Sequence, residues 1–121
     1  MTINEVIYSI CAANNYKPYP DVMPEPKDGI VYSLISNQRR YSLSGDSKFF
    51  TAVYQFTIFN KVKKVADSQA FDLIDIFHQS TGLYENIRLL SARVGEEQED
   101  YEEQTKLNVK MFELTIIYRK N

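Results

Sequence analysis

The sequence predicts an α+β domain, an antiparallel sheet of about four strands with two helices packed on one face. Three observations carry this reading. Apolar residues follow a helical period twice and a strand period four times, in the order helix, two strands, helix, two strands. All four prolines lie between residues 18 and 26, ahead of the first strand, so none interrupts an element. The 121 residues, 44% of them hydrophobic, suffice for one core and not for two, and residues 1–121 are read as a single domain.

The first helix opens on Thr2 and Glu5, whose spacing is that of a capping box: a hydroxyl for the third helical amide and a carboxylate reaching back. Ile3, Val6, Ile7, Ile10 and Cys11 then form one apolar stripe to about Ala13, and Asn14-Asn15 ends it. From Tyr16 to Gly29 the prolines favour an extended lead-in. Ile30 to Ser36 is β-branched and aromatic, as a strand requires. Asn37 to Lys48 is polar and contains Gly45, and reads as a long exposed hairpin loop.

Phe49 to Lys61 alternates cleanly, with Phe50, Ala52, Tyr54, Phe56 and Ile58 on one side. Its other side mixes Thr51, Gln55 and Thr57 with Val53 and Phe59, which predicts partial cover there. Asp67 is read as the N-cap of a second helix running to Ser80, with Phe71, Ile74, Phe77 and His78 on one stripe and Gly82 as its stop. Glu85 to Val94 is the third strand and Leu107 to Tyr118 the fourth. In the fourth, the apolar set Leu107, Val109, Met111 changes phase to Phe112, Leu114, Ile116, Tyr118, which predicts a bulge near Met111.

Composition narrows the chemistry. A single Cys11 leaves no partner for an internal disulfide, and a single His78 leaves no His pair or His-Cys cluster for zinc. There is no Gly-x-Ser-x-Gly elbow and no phosphate-cradling glycine loop, since Gly45 stands alone. His78, near the end of the second helix, reads as a structural residue, and Cys11 as core. The N-terminus lacks the basic start and apolar stretch of a secretory signal, and no run approaches the ~18 apolar residues that span a bilayer. The expectation is a soluble, non-enzymatic protein with no cofactor, no metal and no membrane partner.

The formal charge of −2 is unevenly spread: residues 1–64 carry eight Lys/Arg against five Asp/Glu, and residues 65–121 carry six against eleven. Such asymmetry favours self-association or docking of opposite patches over binding one polyanion. The acidic part centres on Glu96, Glu97, Glu99, Asp100, Glu102 and Glu103, expected on a turn between the last two strands. A solvated, self-repelling turn is the default reading, and metal ligation would need ligands converging from different elements. The functional alternative is a negative loop that meets a basic partner or lines a pore through which DNA slides. Arg39 and Arg40, with Lys61, Lys63 and Lys64, form the basic counterpart; without interleaved stacking aromatics they do not read as a nucleic-acid site.

A proline-bearing lead-in, Pro24-Glu-Pro26, is followed by Gly29-Ile-Val-Tyr32 and a strand ending near Gln38. Then come a polar loop with Gly45, the strand Val53-Tyr-Gln-Phe-Thr-Ile-Phe59, the helix Asp67 to Ser80 and two C-terminal strands. This arrangement, over roughly Met1 to Tyr118, resembles the tail-terminator (tail completion, head-tail joining) proteins of long-tailed bacteriophages. The resemblance implies a virion assembly protein of the tail, made in the host cytoplasm, that caps the tail tube as a homo-hexameric ring. It would end tail polymerisation and join the tail to the head connector. The implied partners are further copies of itself, the tail tube protein, the head connector protein, and DNA passing through the lumen without specific binding. On this reading Arg39, Arg40, Lys48, Glu96, Glu97, Glu99, Asp100, Glu102 and Glu103 are the candidates for interface or lumen. The alternative is a small non-catalytic α+β module that binds a ligand or peptide on its aromatic-rich sheet.

Overall fold

A computed structural model describes residues 1–40, 48–78 and 80–120 of the chain. Two helices, α1 (Ile3–Ala13) and α2 (Lys63–Phe77), accompany six strands: β1 (Tyr19–Pro20), β2 (Gly29–Arg40), β3 (Phe49–Asn60), β4 (Gly82–Tyr84), β5 (Ile87–Glu102) and β6 (Leu107–Lys120). They form one sheet in the order β1-β2-β3-β6-β5-β4. The mixed α+β class stands, and the strand count is corrected from four to six. The two additional strands are edge fragments of two and three residues, too short to leave a periodic signal. Because β1 pairs with β2 in parallel, the sheet is mixed rather than wholly antiparallel.

The centre of the sheet is the antiparallel pair β3 and β6, in unbroken register from Phe49 opposite Arg119 to Asn60 opposite Asn108. Strand alternation sends Ala52, Tyr54, Phe56 and Ile58 of β3, with Phe112, Leu114, Ile116 and Tyr118 of β6, to the helix side, where all are buried. Both helices contribute to the same core: Val6, Ile7 and Cys11 from α1, and Ala66, Leu73 and Phe77 from α2. Phe56 is at its centre. Its ring lies 5.2 Å from both Phe77 and Phe112 and 6.1 Å from Tyr32, so one side chain joins α2 to three strands.

The capping box of α1 forms as expected: Glu5 N donates to Thr2 Oγ1 at 3.2 Å, and Thr2 N donates to Glu5 Oε1 at 3.3 Å. Tyr54, buried at the core edge, donates its hydroxyl to Asn4 Oδ1 at 2.5 Å and so fastens α1 to β3. By contrast α2 begins at Lys63, four residues before Asp67, and its N-cap residue Val62 offers no side-chain cap. Polar contacts of the preceding turn hold its start: Lys61 N donates to Asp28 Oδ1 at 2.9 Å, and Asn108 Nδ2 donates to Asn60 O and Lys61 O. The helix ends at Phe77, ahead of the expected Ser80, and Gly82, at φ 142°, opens β4.

Three further expectations are corrected. The strand after the lead-in continues through Asn37–Arg40, leaving residues 41–47 of the expected loop, Gly45 among them, outside the described residues. The acidic stretch is not a turn. Glu96, Glu97, Glu99, Asp100 and Glu102 belong to β5, and Glu103 alone enters the turn. Finally, β6 has no bulge at Met111; register shifts fall instead in β2 at Ile35 and in β5 at Leu90 and at Gly95–Glu96. The phase change in β6 has another cause. Leu107 and Val109 are buried on the side away from the helices, where Phe59 pairs with Val109 and the segment 21–26 faces Leu107 across a groove.

Two measurements test this packing. Phe56→Ala should lower stability by about 3–5 kcal/mol, read as a fall in the urea midpoint; a loss below 1 kcal/mol would contradict the central role of the ring. Burial pushes the Cys11 thiol from its ordinary 9.0 up to about 12. The unfolded chain thus loses this proton near pH 9 while the folded chain keeps it, so stability should fall as pH rises from 9 towards 12. Cys11→Ala should flatten that slope, and native Cys11 should resist a thiol reagent at pH 8 until urea is added.

Candidate functional site

Of the charged residues picked out from the sequence, Arg39, Arg40 and Lys48 lie at one end of the strands, while Lys61, Lys63 and Lys64 lie at the other, where Lys63 lines a hollow with Glu99 and Asp100. At one end, cross-strand rows place Arg40 opposite Phe49, Phe49 opposite Arg119, and Arg119 opposite Arg88. Beside them the exposed Lys48 accepts a hydrogen bond at its carbonyl from Lys120 N. Two aromatic rings are built into this basic end. The Arg39 guanidinium and the Lys120 ammonium each sit 5.2 Å from the Phe50 ring centre, and the Arg119 guanidinium is 5.7 Å from that of Phe49. Phe50 in turn stacks on Tyr118 at 5.2 Å, so Arg39 and Lys120 rest on a ring tied to the core.

Sequence reading found Arg39, Arg40 and Lys48 here and missed Arg88, Arg119 and Lys120. Their chain positions lie in the half with net negative charge. Only the β3–β6 and β5–β6 registers bring them beside the first group.

The acidic stretch lies toward the other end and is divided by strand alternation. Glu97 and Glu99 stand opposite Phe112 and Lys110, on the helix side. Asp100 and Glu102, opposite Val109 and Leu107, take the other side, where Glu96 lines a small hollow with Glu113, Gln55 and Gln98. Asp100 Oδ1 accepts from Tyr101 N at 2.7 Å. All these carboxylates are exposed.

One of them is tied down. Lys110 Nζ lies 3.5 Å from Glu99 Oε2 and 3.3 Å from Asp67 Oδ1, joining β5 to α2 through β6. Burial works against the charge on Lys110, but Asp67 and Glu99 outweigh it and its pKa is raised. Asp67, expected as a helix cap, is thus an ion-pair partner inside α2.

The side of the sheet away from the helices carries Thr51, Gln55, Thr57 and Thr115 along the central strands. Near one end the segment 21–26 borders a groove of about 420 Å³ with Val31, Phe59, Glu102 and Leu107. Among the described residues no group of three or more His, Cys, Asp or Glu is placed to hold a metal, and no helix is long and apolar enough to cross a membrane. His78 is exposed and follows the last residue of α2.

No family model and no curated protein matches the sequence. Among solved structures, the fold is similar to that of a chain in the virion of a native gene transfer agent particle. The TM-score is 0.54 at 16% identity, over 92% of this chain and 83% of that one. At that identity the likeness shows a shared fold across nearly the whole chain.

The Lys110 junction makes a direct prediction. A lysine whose folded pKa is raised contributes stability in full below its ordinary value near 10.5, and that contribution is lost as pH rises through the folded value. Lys110→Met should therefore cost about 0.5–1 kcal/mol at pH 7, with a deficit that shrinks above pH 10.5. Equal stability of the two proteins at pH 7 in low salt would show that the junction contributes nothing.

Proposed function

We propose that this chain is a virion structural subunit that caps the tail tube as a ring, ends tail polymerisation and joins the tail to the head connector. The observation that carries the virion part is the fold shared over 92% of the chain with a chain of the gene transfer agent virion. The terminator role draws on the resemblance of Gly29–Tyr32, Val53–Phe59 and the order of elements to the tail-terminator proteins of long-tailed phages. A shared fold does not dictate a role, so the surface must supply the rest.

Two features of the surface support the reading. A ring needs two different patches that fit each other, and the sheet carries a basic end and an acidic strand. A lumen that passes DNA needs a wall to which phosphates do not adhere. The helix-free side presents Thr51, Gln55, Thr57 and Thr115 at its centre, with Glu96, Asp100, Glu102 and Glu113 toward one end and Arg88, Arg93 and Arg119 toward the other, so the acidic part is the stretch that suits such a wall. The partners are then further copies of this chain, six in the closed ring, with the tube protein on one side and the connector on the other. The role requires no catalysis.

The groove beside residues 21–26 supports a second reading, a module that binds an extended peptide against Val31, Phe59 and Leu107. Negative-stain microscopy of the purified protein with tail tubes separates the two. Rings at tube ends are expected, and reversing the charge of Glu96, Glu97, Glu99 and Asp100 together should reduce capped ends or infectivity. Bare tube ends at saturating protein would overturn the terminator reading and favour the peptide module.

A further inference from the structure

The outer strands of the sheet are covered only in part. β1 pairs with Val31 and Tyr32 of β2, and β4 pairs with Ile87, Arg88 and Leu89 of β5. Among the described residues no strand lies outside Ser33–Arg40 of β2 or outside Leu90–Glu102 of β5. Backbone N–H and C=O groups along such edges are a template for another strand, and charged side chains limit which strand can use it. The directions are compatible. Three antiparallel steps separate β2 from β5, so β5 of one copy meets β2 of the next in antiparallel fashion when copies follow head to tail.

Charge selects among the possible pairings. Two β5 edges centred on each other would set Glu96 and Glu97 against their own copies, a repulsive arrangement. A β2 edge brings Arg39 and Arg40 instead. The position of the short strands then dictates an offset. Within one copy Leu34 lies level with Val94, through Tyr54 and Leu114. For all of Ser33–Arg40 to find partners beyond β4, Arg40 must fall between Leu90 and Gly95 of the neighbour, an offset of about two to seven residues at one position per residue. At the small end of that range Arg39 approaches Arg93. At an offset of six, Ser36 faces Gln98, Asn37 faces Glu97 and Gln38 faces Glu96, so Arg39, on the helix side over Phe50, lies diagonally across from Glu97 on the same side.

Ring closure asks for a similar offset. Strands tilted by about 35–45° in a closed sheet, with four long strands per copy at ~4.8 Å spacing, shift by roughly 13–19 Å per copy, or about four to six residues. We propose that copies of this chain join head to tail by antiparallel pairing of Ser33–Arg40 of β2 with Leu90–Glu102 of the next copy's β5, offset by about six residues so that Arg39 lies diagonally across from Glu97. The inference rests on the ring reading above and specifies how one copy recognises the next.

The test uses the full-length protein carrying Ser36→Cys and Gln98→Cys, whose thiols face each other only between copies; buried Cys11 stays out of reach. Under conditions in which the wild type forms rings, alone or on tube ends, a short bismaleimide should give a covalent ladder of multimers. Each single variant should stay monomeric on a denaturing gel, and mixing the two should give dimers. In parallel, Arg39→Glu should lower ring yield by about tenfold at physiological salt, and adding Glu97→Lys to it should restore assembly. Rings without the ladder, or an Arg39→Glu protein that assembles like the wild type, would overturn edge pairing and leave the ring reading standing. A wild-type protein that forms no rings, alone or with tubes, would overturn both.

Discussion

The unbroken pairing of β3 with β6 is the constraint on which the rest of the molecule depends. Twelve consecutive pairs without a register shift determine which side chains face the helices. A slip of one residue would send either Tyr54 and Phe56 of β3 or Phe112 and Leu114 of β6 to the helix-free side and bring Gln55 or Glu113 into the core. The same pairing positions Phe56 against Phe112 and Phe77, so the packing of α2 and the register of the sheet support each other. Irregularity is confined to the flanking strands. Bulges in β2 and β5 bend the outer parts of the sheet while the central pair stays regular.

How much of this was legible depends on whether a feature leaves a local signal. The capping box at Thr2 and Glu5, the stripe of α1 and the alternation of β3 are local, and all three appear where the sequence places them. The acidic strand is not local. Glu and Asp have low strand propensity and repel one another, so residues 96–102 read as a turn. They form a strand because β6 supplies a complete ladder from Leu107 to Phe112, with Lys110 set between Glu99 and Asp67. The start of α2 was missed for the opposite reason: Val62 carries no capping side chain, and Asp67, which looks like a cap, serves the Lys110 junction. The bulge expected at Met111 mistook a change in which face is covered for a change in strand geometry.

Charge shows the same distinction between chain order and space. Splitting the sequence into a positive and a negative half pointed to complementary patches, but the halves are not the patches. The basic end combines Arg39, Arg40 and Lys48 with Arg88, Arg119 and Lys120 from the negative half. Lys110, also from that half, is absorbed into an internal ion pair. What the fold makes is a basic cluster where β2 ends and an acidic stretch along Glu96–Glu102 of β5, with Lys61, Lys63 and Lys64 near the latter. Phe50 adds rigidity at the positive end, because Arg39 and Lys120 resting on a ring tied to the core need less ordering when a partner arrives.

An open strand edge is ordinarily a hazard, and carboxylates along β5 are one established way to keep it from pairing indiscriminately. In the proposed pairing, protection and recognition are not alternatives. A guard made of one charge repels its own kind and neutral aggregation alike, yet admits a strand carrying the opposite charge in the right position. Arg39 and Arg40 sit at the far end of the opposite edge, so an unshifted neighbour cannot satisfy the guard and an offset one can. β1 and β4 enforce the same offset sterically, by occupying the two stretches that an unshifted pairing would use. Two short strands that contribute little to the core thereby limit which assembly the sheet can enter, and they favour the tilt a closed ring requires over a flat, open-ended sheet.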